Sequence, residues 1–105
     1  MPRSSPTISW QQLRVHCEQW TWNDRRTGAR VTGFNPPDDA IDPQRKPFHL
    51  RYVTGKGNLE EGEMICLKVF PQLHQRMVQF TGSRQIRRVR DYLIISVNGI
   101  RVVTH

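Results

Sequence analysis

The chain has 105 residues, with 16 Lys and Arg against nine Asp and Glu, for a formal charge of +7. That length suits one domain burying about two-thirds of its unfolded surface and leaves no room for a second core. The charge favours attraction to polyanions such as nucleic acid, yet by itself sets no sequence preference. The basic excess is concentrated late: from Met64 onward seven basic side chains face the single acid Asp91.

No apolar run approaches the length of a membrane span and the first residues lack a signal-peptide core, so no membrane partner is expected. With only Cys17 and Cys66 present, the expectation is a reduced, cytoplasmic protein with two buried free thiols rather than a disulfide.

In chain order, residues 1–6 are polar and proline-bearing and are expected to fray, with Thr7 or Ser9 capping a brief helical turn through Leu13. Alternation around Val15, Cys17, Trp20 and Trp22 predicts a strand over Arg14 to Trp22. The turn residues Asn23 to Gly28 and a second extended run, Ala29 to Phe34, complete a hairpin. Residues 35–47 hold four prolines and read as a surface loop, since each proline removes an amide donor and fixes φ.

Phe48, Leu50 and Tyr52 mark one face of a strand ending at Thr54, and Gly55 to Asn58 form a turn. Met64 to Phe70, apolar except for Lys68, predicts a strand buried on both faces or near the centre of a sheet. Between Pro71 and Gly82, Leu73, Met77 and Phe80 recur at helical spacing, which predicts a short amphipathic helix; a strand over Arg76 to Thr81 competes with it.

At the end, Leu93 to Val97 and Ile100 to Thr104 flank Asn98-Gly99, a pair suited to the positive φ angles of a type I′ turn. That turn places Val97 opposite Ile100, Ile95 opposite Val102 and Leu93 opposite Thr104 on a core-facing side. The other side carries Tyr92, Ile94, Ser96, Arg101, Val103 and His105, joined by Arg88 and Arg90 if the strand runs backward without a bulge near Asp91, or by Arg87 instead if one residue is inserted there. The fold class that results is α+β and β-rich: a small antiparallel sheet or partly open barrel with a C-terminal Asn-Gly hairpin and one or two short helices, all in one domain over 1–105.

Local tests for chemistry favour a protein that is not an enzyme and holds no cofactor or metal. Gly55-Lys56-Gly57 lacks the spacing of a phosphate-binding loop. His16, Cys17, His49, Cys66, His74 and His105 include no locally paired metal ligands, and neither cysteine sits in a nucleophile signature. Glu60, Glu61 and Glu63 offer carboxylates, but between a turn and an apolar strand they serve solubility more plausibly than catalysis. Trp20 and Trp22 share a strand face and suit core packing at least as well as base stacking.

The run Arg84-Gln85-Ile86-Arg87-Arg88-Val89-Arg90 carries the functional expectation, because guanidinium groups grip phosphates bidentately while interleaved apolar residues anchor the strand. The bland alternative is a solvated edge that blocks strand-to-strand aggregation. The chain shows one helix where an RNA-recognition motif needs two, and no motif identifies a family. The leading expectation is a non-enzymatic nucleic-acid-binding module whose site comprises Arg84, Arg87, Arg88, Arg90, Tyr92 and Arg101. The alternative is a protein-interaction or assembly subunit, of a phage or mobile element, with a protein partner or a second copy of itself.

Overall fold

The computed structural model describes residues 6–103. The chain opens with β1 (Thr7–Ser9), a 3-10 turn (Trp10–Gln12) and α1 (Leu13–Cys17). It continues through β2 (Trp20–Asn23), β3 (Arg30–Gly33), β4 (Ile41–Arg45), β5 (Phe48–Val53) and β6 (Leu59–Phe70). After a 3-10 turn (Pro71–Leu73) come β7 (Gln75–Phe80) and β8 (Ile86–Arg90), a third 3-10 turn (Asp91–Leu93), β9 (Ile94–Val97) and β10 (Ile100–Val103). The protein is β-rich, as its sequence suggests.

Seven strands form one sheet in the order β1-β10-β9-β5-β6-β7-β8, and three form a second in the order β3-β2-β4. The larger sheet is antiparallel except where β1 lies parallel to β10, and with edges at β1 and β8 it is not a closed barrel. The twelve-residue β6 is its seam: residues 59–64 pair with β5 and residues 64–70 with β7, so Met64 lies opposite both Phe48 and Phe80.

The core lies on the face of this sheet that α1 covers, where Leu13 and Cys17 join Phe48, Leu50, Tyr52, Met64, Cys66, Val78 and Val89. Leu13 and Cys17 are four apart, so one helical face delivers both to the core. That spacing decides against the strand expected from Arg14: the helix occupies residues 13–17, Val15 points to solvent, and extended structure begins only at Trp20. The helical turn expected after Ser9 is present and runs on to Cys17, with Gln12 Oε1 accepting the Ser9 amide at 2.8 Å.

The β2–β3 hairpin forms as expected, pairing Trp20 with Gly33 and Trp22 with Val31. Trp22 packs over Gly33 so closely that a β-carbon there would lie 2.8 Å from the indole. Residues 35–47 are not all loop, because β4 pairs with β2 despite Pro43. The proline is tolerated at the sheet edge, where the ladder shifts register between Thr21 and Asn23 and needs no amide from it.

Three further expectations are corrected. The 71–82 segment is a strand after a short turn, and left-handed His74 (φ 51) ends the turn before a helix can propagate. The competing strand assignment was the right one: Arg76 and Val78 alternate inward. β6 takes the interior position in the sheet, between β5 and β7, and is not buried on both faces, since Met64 and Cys66 face the core while Leu67 stays 37% exposed. Leu67 is the extra residue of a bulge, because Cys66 pairs with Val78 and Lys68 already pairs with Met77.

In β9 a second bulge skips Ile95, as Arg51 pairs with Ser96 and Tyr52 with Ile94. Ile94 therefore enters the core and Ile95 does not, the reverse of strict alternation. Ile100 pairs with Val97 and Arg101 with Ser96, and the turn between them has positive φ at Asn98 (51°) and Gly99 (78°). The expected positions of Thr104 and His105, and the fraying of residues 1–5, lie outside the described residues.

Candidate functional site

The β7–β8 register determines where the arginine run points. Val89 pairs with Arg76 and Arg87 with Val78, and Val78, Val89 and Arg76 are all buried. The alternate set, Arg88 opposite Met77 and Arg90 opposite Gln75, therefore projects from the outer face, and both arginines are exposed. Arg88 is held there: its Nε donates to Gln75 Oε1 at 2.8 Å and its guanidinium lies 3.8 Å from the centre of the Phe70 ring. Lys68 approaches the same ring at 5.2 Å, so Phe70 carries two cations. Arg84 precedes this strand in a tight turn, left-handed at φ 61, and is exposed.

Among the described residues, no carboxylate lies within 4.0 Å of Lys68, Arg84, Arg88, Arg90 or Arg101. Arg87 differs. It points inward, pairs with Glu60 at 3.2 Å and donates to Gln85 at 2.9 Å, while Glu60 also accepts the Tyr52 hydroxyl. Burial and that carboxylate push the Tyr52 phenol above its ordinary value.

Arg101 and Tyr92 stand apart from this group. Arg101 lies on β10, separated from β8 by four strands; its row runs through Ser96 to Arg51, which faces Glu61. The backward extension that joined Tyr92 and Ile94 to Arg90 is broken by the 3-10 turn at Asp91–Leu93. Tyr92, half exposed, instead meets Trp10 at 5.7 Å and His74 at 5.5 Å. The three glutamates do not form a carboxylate pair: Glu61 binds His49 at 2.6 Å, Glu63 takes the Thr81 hydroxyl at 2.8 Å, and Glu60 lies on the opposite face.

A second feature escaped the sequence reading. Arg76, almost wholly buried, pairs with Glu18 and, through Nε at 3.2 Å, with Asp91 Oδ1. Burial works against the Arg76 charge, but its hydrogen bond to Glu18 and the flanking carboxylate outweigh that and raise its affinity for the proton. Asp91 is pushed up from its ordinary value by burial, which Arg76 only partly offsets. Above this network opens a groove of about 590 Å³ whose walls include Trp10, Val69, Pro71 and His74. The inward parity of Arg76 beside Val78 was the one sequence signal available, and it emerges only once residues 75–80 are read as a strand.

The thiols are closed to this site's chemistry: Cys17 and Cys66 are buried and free, and burial pushes Cys17 up to about 12. Among the described residues no three His, Cys, Asp or Glu side chains gather as a metal-ligand set, and no helix is long and apolar enough to cross a membrane. No protein-family model matches the chain, and neither a curated protein nor a solved structure resembles it significantly.

Proposed function

We propose that this protein is a non-enzymatic nucleic-acid-binding module that contacts the phosphate backbone through Arg84, Arg88 and Arg90, assisted by Lys68. The observation that carries this reading is the outer face of β8, where Arg88 and Arg90 point the same way and no described carboxylate neutralises them. Arg88 is preorganised by Phe70 and Gln75, which lowers the side-chain entropy lost when it grips a phosphate. Arg87 is occupied by Glu60 and belongs to the fold, and Arg101 is too far across the sheet to extend the same track.

Contacts of this type release counterions, so affinity falls steeply with salt and depends weakly on sequence. The test is fluorescence anisotropy of labelled oligonucleotides at low and physiological salt, against a compact control protein of similar charge. With Arg88→Ala/Arg90→Ala, binding weakens and the slope of log affinity on log salt drops by about 1.5 to 2. Binding no tighter than the control, or unchanged in that variant, removes β8 as a nucleic-acid site and turns attention to protein partners at the open edges of β1 and β8.

A further inference from the structure

The β8 face and the groove share a lip. Val69 and Pro71 line the groove, and both also border a shallow depression beside Phe70, the ring that Arg88 covers. A strand lying along Arg90, Arg88 and Phe70 therefore reaches the groove mouth without crossing the molecule.

The two surfaces differ in charge. On the outer face of β8 no described carboxylate pairs with Arg88 or Arg90, whereas in the groove Arg14 and Arg76 meet Glu18 and Asp91, and the formal charges cancel. A ligand that fits both must place its anionic part on β8 and a neutral part in the groove.

The groove suits a flat ring with a polar edge. Trp10 and His74 meet edge to face, their centroids 4.7 Å apart with planes at 88°, and form one wall. Val69 and Pro71 belong to the wall they share with the depression. Arg76 and Asp91 also line the groove, where Arg76 Nε and Asp91 Oδ1 face each other as an ion pair at 3.2 Å. The groove thus presents polar groups of both signs beside its aromatic wall and carries no formal net charge, which suits a neutral ring with a polar edge such as a nucleobase.

We infer that the protein binds single-stranded nucleic acid, holding one unstacked base in the groove against Trp10 and His74 while the flanking phosphates lie on Arg88 and Arg90. This rests on the nucleic-acid reading of β8 and adds to it the strandedness of the ligand. A duplex keeps its bases stacked and paired, so it reaches the arginines and not the groove.

The test compares a single-stranded oligothymidylate with a hairpin duplex of equal length, by anisotropy, for the wild type and two variants. His74→Asn removes the ring while keeping a residue tolerant of the left-handed backbone at φ 51. Tyr92→Ala removes a half-exposed buttress of the same cluster and guards against a folding defect in the first variant. The expected result is single-strand affinity about tenfold above duplex affinity, lowered about fivefold by His74→Asn with the salt slope and duplex binding unchanged. Equal affinity for both probes, untouched by either variant, overturns the inference and leaves the β8 reading standing. Salt-sensitive binding to neither probe overturns both.

Discussion

The guanidinium carbon of Arg88 lies 3.8 Å from the centre of the Phe70 ring, while its Nε donates to Gln75 Oε1 at 2.8 Å. The arginine is thus positioned before any ligand arrives. Arg88→Lys keeps the charge but forfeits the planar guanidinium, its bond to Gln75 and its bidentate fork. The expected outcome is an unchanged salt slope with affinity reduced about threefold to tenfold, read by anisotropy titration at several salt concentrations. An Arg88→Lys protein that binds as tightly as the wild type would reduce Arg88 to a point charge.

Arg76 is the structural counterpart of Arg88, alike in chemistry and opposite in burial. Replacing it by Met leaves Asp91 buried without its partner and removes the charge that Glu18 faces. Arg76→Met is expected to cost about 3 to 5 kcal/mol of unfolding free energy in urea. A loss below about 1 kcal/mol would mean that water reaches the pair and that the network contributes little.

Asp91 makes stability depend on pH in an unusual direction. Its carboxyl titrates above the ordinary value of 3.8 in the folded state, so folding favours its protonated form. The stability it contributes is complete below 3.8 and is lost as pH rises through the raised folded value. Against Asp91→Asn, which cannot titrate, the wild type should lose ground over that interval in parallel urea melts. A wild type that gains on the variant as pH rises would show that Arg76 holds the carboxylate ionised instead.

The two thiols give a measure of core integrity. Both cysteines are buried, and burial holds Cys17 far from its reactive thiolate. A chromogenic disulfide reagent should label neither thiol in the native protein and both in denaturant. Rapid labelling of one thiol under native conditions would reveal local opening of α1 or of the β6 bulge.

The strands were legible where burial alternates and long-range contacts do not interfere. Phe48, Leu50 and Tyr52 announce β5 because all three face one core, and the β2–β3 turn is short enough for local residues to specify. The sequence misled where one spacing serves two structures. Leu73, Met77 and Phe80 fit a helix, but Phe80 pairs with Met64 and Arg76 enters the core only in a strand. The bulges at Leu67 and Ile95 were hidden because an apolar run does not say which of its members is skipped.

Of the expected site, Arg84, Arg88 and Arg90 remain together, since neighbours on one strand and its turn stay neighbours in the fold. Arg87 belongs to the same basic run, but strand parity turns it toward Glu60, and Arg101 shares only the charge, since four strands intervene. Glu18, Arg76 and Asp91 come from separate elements, and no local pattern could have joined them.

The parallel pairing of β1 with β10 has a consequence for how the protein is made. Thr7, Ile8 and Ser9 acquire their neighbours only when Arg101, Val102 and Val103 have left the ribosome, so the first strand made waits for the tenth before its edge of the sheet can form. Until then β9 stands at the border of the sheet, and Val97, buried in the finished fold, lacks the neighbour it finds in Ile100.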